Sequence, residues 1–475
     1  MPDPNTIAFV SILGIALMHG VGLLHILHAL MNVRTSQGTI AWIICLVTFP
    51  YLAIPFYWIL GRNKFAGYVR ARRADDERLI QHAMDLRVSF LDYQIEDPNS
   101  LSRAGIRMGS LPPAHGNAID LLINGKATFR SLFKSIDSAR DYILVNFFIV
   151  KNDRVGTAFK DVLIKKAREG VRVYFLFDEI GSHKLSRSYL RDMREAGIIY
   201  SAFGTNRFWW SRFQLNFRNH RKIVVVDGRE AFVGGLNVGD EYLGMSEKFG
   251  AWRDTHLAIR GPAVQAVQLV FLEDWFWATS DVPDVSDKII PDPRNQEVQI
   301  LPTGPADPLD SWQLFVIEAA NLARERLWIA SPYFVPDTGT VSALQAAALR
   351  GVDVRIMLPE KADHILVYLS SFSFYEATIP AGVKLYRYMA GFLHQKVLLS
   401  DQKAAVGTAN LDNRSFRLNF EITAFSADPV FVGEVEAMLV RDFDCARLAT
   451  LDEFQSRSFF FRAACRAARL MAPIQ

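Results

Sequence analysis

The feature that most constrains this chain is that it reads twice. Tyr142-Ile-Leu-Val-Asn-Phe-Phe-Ile-Val150 is echoed by Leu327-Trp-Ile-Ala-Ser-Pro-Tyr-Phe-Val335, and Lys166-Ala-Arg-Glu-Gly-Val-Arg-Val-Tyr-Phe-Leu-Phe177 by Ala347-Ala-Leu-Arg-Gly-Val-Asp-Val-Arg-Ile-Met-Leu358. The offset between the copies shrinks slowly along the chain, as it does in diverged duplicates that have lost loop residues. Within each copy, apolar runs of strand character alternate with amphipathic stretches, as in Tyr142 to Val150, Ala158 to Glu169 and Val171 to Phe177. That alternation implies an α/β sheet with covering helices. One helix is expected to end at Gly170 and its counterpart at Gly351. Two related lobes are expected, over residues 117–290 and 291–475.

Each copy closes on the same polar pattern. In the first, Asn219-His220-Arg221-Lys222 runs through an aliphatic stretch to Asp227-Gly228 and on to Gly234-Gly235-Leu236-Asn237. In the second, Leu393-His394-Gln395-Lys396 runs to Asp401 and on to Gly407-Thr408-Ala409-Asn410. Both are His-x-Lys-x4-Asp followed by a small residue, any residue and Asn. In an extended chain residues two apart share a face, so each imidazole points the same way as its lysine ammonium. The Asp falls at the turn that ends the strand, where it can fix backbone geometry, and the Asn supplies an uncharged donor on the next strand. Two such sets facing each other offer two lysines (Lys222, Lys396) and two amides (Asn237, Asn410) to one phosphate. His220 and His394 would then stand in line on opposite sides of phosphorus, a site for phosphoryl chemistry without a metal. Asp254, in Trp252-Arg-Asp-Thr-His256, and Glu421 are expected to take the far ring proton of their own lobe's histidine, as the third group of a nucleophilic triad does.

The remaining composition narrows the classes. A formal charge of +3 over 475 residues gives no global case for nucleic acid, and the cysteines, Cys45, Cys445 and Cys465, have neither disulfide nor zinc spacing. No Gly-x-x-x-x-Gly-Lys phosphate loop is present, so no nucleotide is expected. No cofactor is expected. Residues 1–64 read as a membrane hairpin, with helices over about 7–31 and 39–60, each long enough to span. Pro50 and Pro55 are expected to bend the second. Only Arg34 lies between them, whereas Arg62, Lys64, Arg70, Arg72 and Arg73 follow. That asymmetry places the large domain on the cytoplasmic side. His19, His25 and His28 in the first helix are read as interhelical hydrogen-bonding groups. Residues 65–116 form a connector, helix-like over Asp75 to Val88.

The duplicated motif resembles the phospholipase D superfamily, and the fuller pattern is similar to bacterial cardiolipin synthases. Arg218-Asn-His-Arg-Lys222, Ser331-Pro-Tyr-Phe334, Leu411-Asp-Asn-Arg-Ser-Phe-Arg-Leu-Asn-Phe-Glu421, Ala41-Trp-Ile43 and Trp58-Ile-Leu-Gly-Arg62 carry the likeness over nearly the whole chain. The resemblance implies an α/β fold of two phospholipase D-type lobes, mixed sheets flanked by helices, forming one active site behind a two-helix transmembrane hairpin. It implies an enzyme of the bacterial inner membrane that moves a phosphatidyl group from one phosphatidylglycerol to another through a phosphatidyl-histidine. His220, Lys222, Asp227, His394, Lys396 and Asp401 would be the catalytic set, with His220 as nucleophile and His394 as acid and base. Its partners would be phosphatidylglycerol and membrane lipids, not nucleic acid. One departure is Gly235, where the family often has Ser in Gly-Ser-x-Asn; the Gly235 N–H is expected to stand in for the hydroxyl.

Two further readings share these residues. A phospholipase D hydrolase would let water resolve the intermediate, and a non-catalytic membrane scaffold would leave both motifs idle. Intact motifs in both lobes argue against the scaffold. Outside the motifs, Asn206-Arg-Phe-Trp-Trp-Ser-Arg-Phe213 mixes aromatic and basic residues, and Phe459-Phe-Phe461 with Arg462, Arg466 and Arg469 reads as an amphipathic interfacial segment near anionic lipid. His82, His115, His183, His256 and His364 lack such context and are expected to be surface or structural groups.

Overall fold

The computed structural model describes residues 3–33, 35–61, 77–204, 216–361 and 363–474. The chain forms two compact units, Met1–Arg70 with Thr205–Phe217, and Ala71–Gly204 with Arg218–Gln475. The basic residues 62–73, Arg34 and the aromatic stretch 206–213 lie outside the described residues.

In the first unit, helix α1 (Pro4–Asn32) is long and apolar enough to cross a membrane. The expected single helix over 39–60 is two pieces, α2 (Ser36–Thr48) and α3 (Pro50–Leu60). Phe49 between them has φ −138° and ψ 58°. The pyrrolidine ring of Pro50 excludes the helical conformation at the preceding residue, so the helix restarts with proline at its first position. At 1.5 Å per residue α2 reaches only about 20 Å, short of a hydrocarbon core of about 30 Å. Pro55, by contrast, sits inside α3 without ending it. The α1 histidines serve the packing of this unit: Trp58 Nε1 donates to His25 Nε2 at 2.8 Å, and His28 Nδ1 lies 2.7 Å from the Tyr57 hydroxyl. His19 bonds back to the Ile15 carbonyl of its own helix at 2.9 Å.

In the second unit the duplication becomes a matched strand order. The first lobe supplies β1 (Ala114–Ile123), β2 (Tyr142–Phe147), β3 (Arg172–Asp178), β4 (Ile199–Phe203), β5 (Ile223–Val226), β6 (Glu230–Gly234) and β7 (Thr255–Arg260). The second supplies β8 (Gln296–Thr303), β9 (Arg326–Ala330), β10 (Asp353–Pro359), β11 (Lys384–Tyr388), β12 (Val397–Ser400), β13 (Lys403–Gly407) and β14 (Asn419–Ser426). The strands lie in the order β1-β7-β6-β5-β2-β3-β4 and β8-β14-β13-β12-β9-β10-β11, and each of these has its counterpart in the other lobe. A further short strand, Ala446–Leu448, extends the second half beyond β11. Both halves are mixed, with β2, β3 and β4 mutually parallel, as are β9, β10 and β11, while the rest run antiparallel. The lobes meet where β1 pairs antiparallel with β8, Asn117 opposite Gln296. Gln296 Oε1 also accepts from Ile119 N at 2.8 Å, fixing that seam. The central strands are buried throughout, which is why they read as unbroken apolar runs.

Helices Arg154–Arg168 and Thr338–Leu349 cover the two halves alike. Gly170 and Gly351 follow them with φ of 93° and 92°, the left-handed conformation that closes a helix and that only glycine enters without cost. The C-terminal helix Phe459–Leu470 packs Phe461 on Phe372 at 5.5 Å and leaves Phe459 and Phe460 exposed. Arg466 reaches Glu376 at 3.4 Å, and Arg469 lies 4.6 Å from the ring of Phe374, so these arginines are partly engaged by the protein body.

Candidate active site

The two histidine motifs enter the site through short parallel pairings that cross between lobes. Arg218–Asn219, just before His220, runs alongside Asn419–Phe420 of the second lobe, and Phe392–Leu393, just before His394, runs alongside Trp252–Arg253 of the first. The next backbone bonds continue the pattern, His220 N to Phe420 O at 2.9 Å and His394 N to Arg253 O at 2.8 Å. This register delivers each histidine to the carboxylate of the opposite lobe. His220 Nδ1 lies 2.9 and 3.0 Å from the two oxygens of Glu421, and His394 Nδ1 lies 2.7 Å from Asp254 Oδ2. The expectation that each carboxylate serves its own lobe is therefore corrected, because a β-bridge between lobes sets the partner. With Nδ1 given to a carboxylate, Nε2 is the nitrogen of each ring that a carboxylate does not hold.

Charge is concentrated and dry here. Burial pulls the His220 imidazole down to about 4, against the opposing pull of Glu421, so the ring is neutral at pH 7 with a lone pair on Nε2. His394 is lowered by burial and by Lys396. Burial pushes the Glu421 and Asp254 carboxyls up. The groups beside them, the His220 ring and Lys222 for the first and Lys396 and the His394 ring for the second, more than offset this and keep both below the usual range. Lys222 is held well below its ordinary value and Lys396 falls to about 8, in both cases chiefly by burial. Lys222 also feels Lys396 and both carboxylates, and Lys396 feels both carboxylates in turn, so the two half-sites share one electrostatic field. Lys222 Nζ donates to the His220 carbonyl at 2.6 Å, and Lys396 Nζ lies 2.9 and 3.2 Å from the ring nitrogens of His394.

Asp227 and Asp401 do not reach this centre. Each ends its strand in the left-handed region, with φ of 51° and 48°, and its carboxylate takes three successive backbone N–H groups. Asp227 accepts from Arg140, Asp141 and Tyr142 at 2.8–2.9 Å, and Asp401 from Arg324, Glu325 and Arg326 at 2.9–3.0 Å. At about 3.3 Å per residue they stand roughly 15 Å along the strand from the lysines. They are positioning residues that lock β5 to β2 and β12 to β9, not members of a catalytic set.

Asn237 and Asn410 are buried at the ends of their loops. Asn237 Oδ1 accepts from Ile149 N and its Nδ2 donates to the Tyr242 hydroxyl, both at 3.1 Å. Asn410 Oδ1 is buried without a hydrogen-bond partner among the described residues. Gly235 is corrected: its N–H is given to Thr255 O at 2.9 Å. A Cβ at this position would stand 2.0 Å from Asp254 Oδ1. The missing hydroxyl is therefore the space that Asp254 occupies when it reaches His394. His256, expected to be structural, is buried one strand residue beyond, and its imidazole is lowered to about 3 by burial.

Several residues escaped the sequence reading. In each motif the residue between His and Lys points away from the site and is anchored by a buried acid. Arg221 Nη1 donates to Asp274 Oδ1 at 2.5 Å, and Gln395 Nε2 to Asp442 Oδ2 at 2.7 Å, the latter acid also held by Arg253 at 2.6–2.7 Å. The available signal was an Asp directly before aromatic residues late in each of two helices, Asp274-Trp-Phe276 and Asp442-Phe443. Aromatic walls complete the site, with Phe148 edge-on to His220 and Trp252 against His394, each at 5.0 Å between ring centroids.

Known proteins are similar to this chain. The family described as cardiolipin synthase, PLD-like domain, matches residues 132–275 and 316–443, one segment in each lobe. A protein of Pseudomonas putida named cardiolipin synthase A is 45% identical over 97% of both chains. One of Pseudomonas syringae pv. syringae with the same name is 42% identical over 99% of both. The crystal structure of phosphatidylserine synthase from Haemophilus influenzae superposes with a TM-score of 0.61 at 15% identity, covering 79% of this chain and 100% of that one, and so shares the fold. Two matching segments in one chain, a mixed α/β fold with two like lobes, and relatives aligned from end to end establish that the chain belongs to the cardiolipin synthase family of phospholipase D-like proteins.

Proposed function

We propose that this protein is a phosphatidyltransferase that converts two molecules of phosphatidylglycerol to cardiolipin and glycerol. The observation that carries the reading is the crossed pairing, in which each histidine has its Nδ1 held by a buried carboxylate of the opposite lobe. His220 Nε2 attacks phosphorus, a P–N bond forms, and the P–O bond to the glycerol headgroup breaks. The departing oxygen takes the Nε2 proton of His394, which enters the cycle as imidazolium and is left neutral, with a lone pair on Nε2. A hydroxyl of the second phosphatidylglycerol then gives its proton to His394, its oxygen attacks phosphorus, and the P–N bond breaks to release cardiolipin. Lys222 and Lys396 carry the positive charge that meets the phosphoryl oxygens in the transition state. One phosphodiester replaces another, so the exchange is nearly balanced and calls for no nucleotide.

The lipid substrate and the apolar helix α1 support a place in the bacterial inner membrane, with the hairpin crossing it. The run of basic residues after Gly61 in the sequence supports a cytoplasmic catalytic unit. The reaction is tested by reconstituting the full chain in phosphatidylglycerol vesicles. Cardiolipin and glycerol in equal amounts are expected; phosphatidic acid alone would make the protein a hydrolase.

The pH dependence follows from His394 and Lys396. His394 donates as imidazolium, and burial with Lys396 beside it holds the ring below the ordinary imidazole range. The value of kcat/KM is therefore expected to begin to fall as pH rises through that range, and Lys396 adds a second limb. With the Lys396 ammonium near 8 in the free enzyme, kcat/KM is expected to fall further as pH rises through about 8, because the deprotonated amine no longer attracts the phosphodiester. A bound phosphate anion favours the charged form, so the same limb in kcat is expected at higher pH. Neutral His220 sets the other boundary, with loss of activity as pH falls through about 4. A kcat/KM profile flat to pH 10 would remove the Lys396 charge from phosphate binding.

A further inference from the structure

The two half-sites differ at one duplicated position. Phe148 and Tyr333 occupy the same place in the repeat, following β2 and β9 respectively. Each segment then runs beside the loop that holds its lobe's asparagine: Val150 bridges Val238, and Phe334–Val335 pairs in parallel with Leu411–Asp412. On the His220 side the position is a phenyl ring, edge-on to the imidazole, and it offers no polar atom. On the other side it is a phenol, whose hydroxyl donates to Asp363 Oδ2 at 2.5 Å. The second oxygen of Asp363 accepts from His364 N at 2.8 Å. Tyr333, Asp363 and His364 line one recess, and the Asp363 side chain keeps 16% of its surface open. Asp363 holds the hydroxyl of Tyr333, whose segment pairs with the loop that follows Asn410, and this places it in the lobe of His394. Its charge favours the protonated forms of His394 and Lys396.

This asymmetry has a chemical use in the proposed transfer reaction, and the role assigned to it rests on that reaction. In an in-line displacement the nucleophile stands on one side of phosphorus, and the leaving and entering oxygens share the other. With His220 as nucleophile, glycerol departs and the second headgroup arrives on the His394 side. A glycerol headgroup brings a hydroxyl that does not react, and a buried hydroxyl needs an acceptor. A carboxylate there also repels the acceptor's own phosphate, so the lipid must enter with its neutral polyol end first. We infer that Tyr333 and Asp363 form the polyol subsite, accepting the spare hydroxyl of the acceptor's glycerol while its neighbour attacks phosphorus.

The experiment offers one phosphatidyl-enzyme two acceptors at once, phosphatidylglycerol and ethanol, in vesicles carrying the full-length protein. Both acceptors resolve the same intermediate, so the ratio of cardiolipin to phosphatidylethanol reads the acceptor step alone, whatever total activity remains. Sites built to hydrogen-bond a substrate hydroxyl discriminate strongly, so Asp363→Asn and Tyr333→Phe are each expected to lower that ratio about tenfold or more. Phe148→Tyr, at the matched position of the other half, is expected to leave the ratio as it is. An unchanged ratio in both Asp363→Asn and Tyr333→Phe would overturn the subsite, as would an equal fall in Phe148→Tyr. Wild-type protein that makes phosphatidylethanol but no cardiolipin would instead overturn phosphatidylglycerol as the acceptor, and with it the proposed function.

Discussion

His394→Ala is expected to lower cardiolipin formation by about 10⁴-fold or more, the scale on which a proton-transferring member of a catalytic unit is lost. The reason is the leaving group: a glycerol alkoxide is a poor one, and with His394 gone nothing protonates it as the P–O bond breaks. A donor whose leaving group needs no proton should bypass that defect. With phosphatidyl-p-nitrophenol, His394→Ala is expected to release one equivalent of nitrophenol and then stall, because no base remains to activate the second hydroxyl. The stalled protein should carry a phosphatidyl group on the peptide that contains His220, identified by mass. His220→Ala should give neither burst nor adduct. An adduct on His394 in the His220→Ala protein would exchange the two roles, and no adduct in either variant would end the covalent mechanism.

Much of the site was legible in the sequence because its signals are local. A strand of period two forces His and Lys onto one face, and a turn Asp capped by backbone N–H groups ends it, so the motif and its repetition could be read in one dimension. The matched strand order obeys the same logic, since each apolar run was long enough to be a buried strand and the glycines that end the helices recur in register. What escaped was set by contacts between distant segments. Nothing near Glu421 shows that Asn419–Phe420 will pair with Arg218–Asn219, yet that pairing decides which histidine Glu421 serves. Asn237 was assigned to phosphate from its type and spacing alone; its commitment to Tyr242 and Ile149 depends on how a loop folds over a neighbouring strand. The break at Phe49 is a different case, for Pro50 was visible, and weighing its effect on the residue before it would have divided the second helix.

The crossed relay makes a prediction that separates it from any same-lobe arrangement. Glu421→Gln keeps the shape of the side chain and removes its charge. The amide no longer fixes the Nδ1–H tautomer of His220 or stabilises the charge that grows on the ring, a change worth about 10³- to 10⁴-fold in a comparable triad. Because Glu421 also accepts from Ser415 Oγ at 2.8 Å and Asn419 Nδ2 at 3.2 Å, the variant should remain folded and in place. Its defect is expected in the attack step, as a slow nitrophenol burst from phosphatidyl-p-nitrophenol. Asp254→Asn acts through His394 instead, so its burst should remain fast while resolution of the adduct to cardiolipin slows by a similar factor. Each lobe's carboxylate thus controls the step performed by the other lobe's histidine, and neither lobe alone holds a complete pair. If Asp254→Asn slowed the burst and Glu421→Gln slowed resolution, with the adduct still on His220, each carboxylate would be serving its own lobe and the crossed relay would be wrong.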